Sequence, residues 1–238
     1  MKALIEKTYN DYLLIKEIGI DKYLKNNKKA FIVTVNPEAC MISENSRRYQ
    51  QLLLDKDTLL IPESVGCEIG IKKICNKTIE KIPGVELFED ILKFANENSK
   101  SIYLYGSIEK VNNDMKTYVK KHYKNIIIVG SNNGYDKEEA VIMEDIIKTK
   151  PDIIAVALGM PKQELFINKI YKNVKKGIFI GVGGTFDVLS GNVKRAPKFF
   201  IKHNLEWLYR ICGSFYRVKK FFRYNVKYAL KIYFYKKD

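Results

Sequence analysis

Three polar side chains lie at the ends of two apolar runs near the start of the chain. Thr34 and Asn36 lie at the end of the run Phe31–Val35, and Glu63 follows the run Thr58–Ile61. A carboxylate within hydrogen-bonding distance of a hydroxyl group can act as a general base, so Glu63 is a candidate catalytic residue with Thr34 and Asn36 beside it. Two alternatives stay open. Glu63 could be a solvated turn residue, and Asn36 could cap the helix that follows. Asn36 could also serve both as this cap and as a residue of the site.

Two glycine-containing turns follow later apolar runs and could receive an anion through backbone N–H groups. Gly159 precedes a helix whose free N–H groups and dipole favour negative charge, and Lys162 and Gln163 add donors there. Gly183 and Gly184 offer a second close approach of the backbone, although the third glycine of the dinucleotide fingerprint is missing, which disfavours a nicotinamide enzyme. The alternative for the first turn is an ordinary tight turn before a helix.

The remaining candidate groups give no metal site. Asp55 and Asp57 form a DxD triplet, but the triplet precedes a strand instead of ending one, so a turn is the better interpretation. The two His and four Cys residues lack ligand spacing, so we predict no metal and reduced thiols. Glu68, one helical turn beyond Glu63, is a second carboxylate that could serve as the base.

Apolar runs alternate with amphipathic stretches along the chain, which predicts strands alternating with helices. The predicted strands are Phe31–Val35, Thr58–Ile61, Ser101–Tyr105, Asn125–Val129, Asp152–Leu158 and Gly177–Ile180. The predicted helices are an amphipathic one around Tyr12–Leu24, then Pro37–Leu54, Val65–Cys75, Val85–Asn98, 108–123, Asp136–Thr149 and Pro161–Tyr171. Strands that are apolar on both faces indicate an α/β fold with a mostly parallel sheet flanked by helices. Carboxyl ends of parallel strands share one edge, so the polar residues at those ends are expected to converge on one crevice.

The positive charge is concentrated at the end of the chain. Of the net charge of +15, residues 192–238 carry +11, from thirteen Lys or Arg against two acidic residues, and the other 191 residues carry +4. The same region holds aromatic residues at helical spacing, which predicts two amphipathic helices. We therefore divide the chain into a catalytic core at 1–191 and a basic, aromatic-rich helical appendage at 192–238.

The appendage allows three interpretations. Basic residues among aromatics could bind nucleic acid, lie on an anionic membrane surface, or pack on the sheet of the same protein. Regular helical spacing favours the membrane. Arg210, Arg217 and Arg223 have a further candidate role, because the guanidinium group suits a diphosphate. No run of about 18 apolar residues and no signal-peptide core is evident, so we expect a cytoplasmic protein without a membrane span.

Several motifs together resemble the WecG/TagA/CpsF family of glycosyltransferases over about residues 30 to 225. They are Thr34-Val-Asn-Pro-Glu, Pro62-Glu-Ser-Val-Gly, Glu80-Lys-Ile-Pro-Gly, Leu158-Gly-Met-Pro-Lys-Gln-Glu, Gly181-Val-Gly-Gly-Thr-Phe-Asp, Val193-Lys-Arg-Ala-Pro and Leu205-Glu-Trp-Leu-Tyr-Arg. The last four, in order and correctly spaced, are highly specific. Residues 1–29 do not match the start of the family.

The resemblance implies a Rossmann-like core and an inverting, metal-independent transfer without a cofactor. The donor would be a UDP-sugar of the N-acetylhexosamine type (ManNAc or ManNAc-uronate class). The acceptor would be a sugar on an undecaprenyl-diphosphate-type lipid, in the synthesis of teichoic acid, common antigen or capsule. The resemblance also implies a peripheral protein on the inner face of the cell membrane, whose appendage binds the membrane and brings arginines to the active site.

Residue by residue, the resemblance places Thr34 and Asn36 near the acceptor site, and it places Gln163 and Arg210 on the glutamine and arginine of the family's motifs. Glu63 and Ser64 replace the family's usual Asp-Gly, which makes the proposed base one methylene longer. Lys81 replaces the family's arginine as a ligand of the donor. The compact charge of an ammonium group thus stands in place of a guanidinium group, which can form two parallel hydrogen bonds. The alternative from another class is a basic α/β module that binds nucleic acid. The sequence leaves the oligomeric state open.

Overall fold

The computed structural model describes residues 1–193, 197, 199–200 and 215–236, and of 215–217 it describes the backbone. The described strands are β1 (Lys29–Val35), β2 (Thr58–Pro62), β3 (Ser101–Gly106), β4 (Ile127–Asn132), β5 (Ile153–Ala157) and β6 (Gly177–Gly181). They form one sheet in the order β2-β1-β6-β5-β3-β4, and every described pair is parallel. The prediction of an α/β fold with a parallel sheet is confirmed.

Helices cover both faces of this sheet. They are α1 (Lys2–Ile18), α2 (Ile20–Asn26), α3 (Pro37–Asn45), α4 (Arg47–Leu54), α5 (Val65–Cys75), α6 (Gly84–Glu97), α7 (Glu109–His122), α8 (Glu139–Thr149), α9 (Lys162–Tyr171), α10 (Thr185–Leu189), α11 (Phe215–Phe221), a π-helical segment (Phe222–Val226) and α12 (Lys227–Tyr233). One apolar core lies between the sheet and α3, α4, α5, α8, α9 and α12, with part of α1. The other lies between the sheet and α2, α6, α7 and α10. Side chains of β1 alternate between the two cores, as the two-residue repeat of a strand requires.

Three predicted helices differ from the observed ones. The helix predicted around Tyr12–Leu24 is divided at Gly19 into α1 and α2. In the other two a polar side chain redirects the backbone. The predicted helix Pro37–Leu54 is divided at Ser46, whose hydroxyl oxygen accepts a hydrogen bond from the backbone N–H of Tyr49 and caps α4. The helix predicted from Asp136 begins three residues later. Asn133 causes this shift, because its side-chain oxygen accepts hydrogen bonds from the N–H groups of residues 135 and 136 and holds them in a turn.

Strand β4 lies further along the chain than the predicted strand Asn125–Val129. Asn125 and Ile126 are held in a turn instead, since their N–H groups donate to the side chain of Asn96 and the carbonyl of Tyr123. The strand continues through Gly130, where a β-carbon would lie 2.1 Å from the ring of Tyr103. Glycine at this position therefore permits a close approach of the aromatic ring and does not end the strand.

Helix α1 covers the outer edge of β2. The carboxylate of Asp11 accepts a hydrogen bond of 2.8 Å from the N–H of Leu60, and the ammonium group of Lys7 donates to the carbonyl of Thr58. Lys7 and Asp11 also form an ion pair at 2.6 Å. These side chains satisfy backbone groups that an edge strand leaves unpaired, so this edge of the sheet is closed.

The final helix packs on the core and does not project from it. Tyr228 and Ile232 are 2% and 3% exposed, and the Tyr228 hydroxyl donates a hydrogen bond of 3.0 Å to the carbonyl of Gly66 in α5. A β-carbon at Gly70 would lie 2.1 Å from that hydroxyl oxygen, so a glycine in α5 admits the tyrosine ring. The predicted helical character of this region is confirmed for residues 215–233, interrupted by the π-helical segment.

Replacing Tyr228 is expected to show that α12 belongs to the folding unit. Tyr228→Ala should lower the free energy of unfolding by about 3–5 kcal/mol, because it opens a cavity in the core. Tyr228→Phe removes one hydrogen bond and should cost about 1 kcal/mol. Urea denaturation measures both, with Tyr233→Ala as the control, since Tyr233 is exposed. Equal stability of Tyr228→Ala and the control would contradict this role.

Candidate functional site

The candidate site lies along the carboxyl edge of four neighbouring strands, β2, β1, β6 and β5. The chain leaves β1 toward α3 on one face of the sheet and leaves β6 toward α10 on the other face. Connections that diverge to opposite faces open a crevice between the strand ends, the usual position of a ligand in an open parallel sheet. With strands about 4.8 Å apart, the row from β2 to β5 spans roughly 14 Å, which is long enough for a nucleotide-sugar.

Asn36 and Glu63 are bonded to each other across the ends of β1 and β2. The Asn36 amide nitrogen donates a hydrogen bond of 2.7 Å to Glu63 Oε1, and the Asn36 oxygen accepts one of 3.0 Å from the N–H of Ala39. Asn36 therefore caps α3 and orients the candidate base with the two ends of one amide. The backbone of Glu63 is also held, because its N–H donates to the carbonyl of Val35 at 3.0 Å.

Thr34 and Gly84 lie against the same carboxylate. A β-carbon at Gly84 would lie 2.9 Å from Glu63 Oε2 and 3.8 Å from the Thr34 hydroxyl oxygen. A side chain at residue 84 would thus displace the carboxylate from its observed position. The structure brings Thr34, Asn36 and Glu63 together, as the sequence analysis expected.

Lys81 is carried to this end of the sheet by the loop before α6. The N–H of Ile82 donates to the carbonyl of Pro62 at 2.7 Å, and the N–H of Lys81 donates to Glu68 Oε1 at 2.7 Å. Glu68, the second candidate base, lies in α5 and binds the backbone of this loop. Glu68 therefore holds the loop that carries Lys81, and Glu63 remains the candidate base.

Gln163 joins the two glycine turns. Its side-chain oxygen accepts hydrogen bonds of 3.1 Å from the N–H of Gly159 and 3.1 Å from the N–H of Gly183. The side chain is only 2% exposed, so it lies beneath the turns, while Lys162 and Gly184 are exposed above them. A direct contact between Gln163 and a substrate stays a prediction.

Glu164 is a buried carboxyl group that the sequence analysis did not assign. It is 0% exposed, and its Oε1 accepts a hydrogen bond of 2.7 Å from the amide nitrogen of Gln163. Burial first, and then the negative charges of Glu38 and Glu63, raise its pKa to about 7. The nearby hydroxyl of Tyr49 is also buried, and its pKa is raised well above the ordinary value by burial and by Glu164. Within the described part of the chain, Tyr49 Oη and Glu164 Oε2 are the buried side-chain atoms without a hydrogen-bond partner.

A signal for Glu164 was present in the sequence. Positions 163, 164, 166, 167 and 170 form one face of α9, and the apolar members Phe166, Ile167 and Ile170 mark that face as buried. A glutamate on such a face is unusual and could have been singled out by its position alone.

The arginines of the appendage are only partly described. Arg210 lies outside the described residues, and for Arg217 the backbone alone is described, in α11. Arg223 is exposed on the π-helical segment, with its guanidinium carbon 5.5 Å from the ring centre of Tyr224. Lys220, in the last turn of α11, forms an ion pair of 2.8 Å with Glu38, so the end of α11 lies beside the first turn of α3.

Two further findings concern metals and membranes. Among the described residues, no group of three or more His, Cys, Asp or Glu side chains could hold a metal ion. In the same part of the chain, no helix has both the length and the hydropathy needed to cross a bilayer.

The pKa of Glu164 generates a prediction for stability. The unfolded chain releases this proton near pH 4.5, whereas the folded protein keeps it up to about pH 7. The folded state binds more protons in this window, so the free energy of unfolding falls as the pH rises, by roughly 3 kcal/mol in total from this group. Urea denaturation between pH 4.5 and 8 should show that Glu164→Gln removes this part of the pH dependence. Parallel pH curves for wild type and variant would contradict the assignment.

Comparison with known proteins agrees with the resemblance and extends it. The family model described as "Glycosyl transferase WecG/TagA/CpsF family" matches residues 16–238. A protein of Bacillus spizizenii (strain W23) is 39% identical over 190 residues, which cover 79% of this chain and 73% of the relative. A protein of Bacillus subtilis (strain 168) is 35% identical, with 88% and 81% covered, and one of Staphylococcus aureus (strain MRSA252) is 29% identical, with 82% and 76% covered.

All three relatives are named N-acetylglucosaminyldiphosphoundecaprenol N-acetyl-beta-D-mannosaminyltransferase. These names and the family model confirm the prediction of a sugar-transferring enzyme and give no support to a nucleic-acid-binding module. The family model begins before β1 and includes the whole basic region, which is wider than the stretch on which the motifs were found. The chain therefore belongs to the WecG/TagA/CpsF family of glycosyl transferases.

Proposed function

We propose that this enzyme transfers an N-acetylmannosamine-type sugar from a UDP-sugar to a GlcNAc unit on a diphosphate lipid of the undecaprenyl type. The names of the relatives support both the transferred sugar and the acceptor. The observation that carries the proposal is the hydrogen bond between Asn36 and Glu63 at the carboxyl edge of the sheet. That bond fixes a carboxylate beside a hydroxyl-bearing residue, Thr34, in the crevice where a ligand of a parallel sheet is expected.

In the proposed reaction Glu63 is the general base. The acceptor hydroxyl oxygen attacks the anomeric carbon of the donor while its proton passes to the Glu63 carboxylate. The bond from the anomeric carbon to the diphosphate breaks, and its electron pair leaves with UDP. Attack opposite the leaving group inverts the configuration at that carbon. Asn36 restricts Glu63 to one orientation, which lowers the entropic cost of reaching the transition state.

The departing diphosphate requires compensating positive charge. We assign this to Lys81, to Lys162 with the positive end of the α9 dipole, and to arginines of the basic region. The ion pair between Lys220 and Glu38 supports the last assignment. Arg217 precedes Lys220 by three residues on α11, about 4.5 Å along the axis, and is the arginine of α11 that we assign to this role. A metal ion is not needed in this scheme.

The membrane partner is proposed for the outer face of the last helix. Phe222, Val226 and Leu230 are exposed at a spacing of four residues, with the exposed cations Lys219, Arg223, Lys227 and Lys231 around them. An apolar stripe bordered by cations suits the headgroup region of an anionic bilayer. The buried residues Tyr228 and Ile232 occupy the opposite face, so the enzyme would rest on the membrane that holds its acceptor.

The first test concerns Glu63. Glu63→Gln should lower turnover by roughly 10²–10⁴-fold with unchanged folding, because an amide cannot accept the proton. Glu63→Asp keeps a carboxylate and should retain more activity than Glu63→Gln. The assay supplies a panel of UDP-sugars and a lipid-diphosphate-GlcNAc acceptor, with and without a chelator. Near-normal turnover of Glu63→Gln would remove Glu63 from this role, and loss of wild-type activity with the chelator would refute metal independence.

The second test concerns the membrane face. Leu230→Glu should weaken binding to anionic vesicles by about 10-fold or more, because burial of a leucine side chain contributes roughly 1.5–3 kcal/mol. Co-sedimentation with vesicles measures the bound fraction. Val141→Glu is the matched control, since Val141 is exposed to a similar degree (47% against 53%) but lies on α8. Equal loss in both variants would argue against a specific membrane face, and tight, salt-sensitive binding of oligonucleotides would favour the nucleic-acid alternative.

A further inference from the structure

The amide of Gln163 connects two loops that are distant in the sequence. Its oxygen accepts the N–H of Gly159, after β5, and the N–H of Gly183, after β6, each at 3.1 Å. The amide also fills the space next to β6, because a β-carbon at Gly181 would lie 2.5 Å from its nitrogen. One side chain therefore bridges the two glycine turns beyond the point where the pairing of β5 with β6 ends.

This connection depends on the orientation of the amide. If the Gln163 amide were rotated by 180°, its NH₂ group would face two N–H donors and neither hydrogen bond could form. Glu164 holds the required orientation, because its Oε1 accepts the amide nitrogen of Gln163 at 2.7 Å. This hydrogen-bond acceptor, Glu164 Oε1, binds the amide nitrogen, whereas the turns bind the amide oxygen.

Folding stability does not account for a carboxyl group at this position. Glu164 is fully buried on the face of α9 that also carries Ile167, where an apolar side chain is the usual choice. Its Oε2 has no hydrogen-bond partner among the described residues, and the carboxylates of Glu38 and Glu63 disfavour its charge. A buried polar group that costs stability indicates a functional requirement.

We propose that Glu164 is a positioning residue of the donor site, which fixes the Gln163 amide so that the turns at Gly159 and Gly183 keep the spacing that receives the donor diphosphate. This inference rests on the proposed function. Glu164 does not touch the substrate itself, since it lies beneath the turns. It acts through Gln163 on the position of the two turns.

The test compares variants of Glu164 that keep, move or remove the side-chain oxygen to which the Gln163 amide donates. Glu164→Gln keeps an oxygen within reach of the Gln163 nitrogen and should retain the donor KM within about threefold. Glu164→Met has a similar length without the oxygen, and Glu164→Asp withdraws the oxygen by one methylene. Both should raise the donor KM about tenfold or more and weaken UDP binding in calorimetry, with the acceptor KM unchanged. Ile167→Val is the control for a small loss of packing in α9 and should leave the donor KM unchanged.

The outcomes separate this inference from the proposed function. A wild-type enzyme that transfers no sugar from any UDP-sugar and binds no UDP would refute the function itself. An active wild type with normal donor KM and UDP affinity in Glu164→Met would overturn the inference. If Glu164→Met does not fold, Glu164→Asp decides: a normal donor KM overturns the inference, and a raised one with rescue by Glu164→Gln supports it. Equal rises in donor and acceptor KM would indicate a structural role and overturn it as well.

Discussion

The hydrogen bond between Asn36 and Glu63 is the interaction on which the candidate site depends. It joins the ends of β1 and β2, and the same asparagine begins α3, so the candidate base, the sheet and one helix are fixed by a single amide. Asn36 is partly buried, where a charge-assisted hydrogen bond is stronger than in water. The position of the candidate base is therefore set by the ends of two strands of the sheet.

The two halves of the site are held together in the same way, by a side-chain amide. In each half, one side-chain amide bonds to two elements: Asn36 to α3 and Glu63, and Gln163 to the turns at Gly159 and Gly183. Glycine supplies the space in both halves, at Gly84 beside the base and at Gly181 beside Gln163. The site is thus built from rigid contacts before any ligand enters, which reduces the reorganisation needed during reaction.

The sequence was sufficient for the features that depend on local pattern. Apolar runs predicted the strands, and the shared edge of a parallel sheet predicted that Thr34, Asn36 and Glu63 meet. The role of Gln163 could not be predicted, because it depends on the separation of two turns that are 24 residues apart in the chain. Both faces of α12 carry apolar side chains, so periodicity alone could not indicate that Tyr228 faces the core and Leu230 faces solvent.

Helix α1 has a consequence for the limits of the folded unit. The family model begins at residue 16, yet Leu4 and Ile5 lie in the main core and Lys7 and Asp11 close the edge of the strand that leads to the base. A recombinant fragment trimmed to the homologous region would leave β2 with open backbone groups and bare apolar surface, a template for self-association between chains. The boundary of evolutionary similarity is therefore not the boundary at which this protein can be cut.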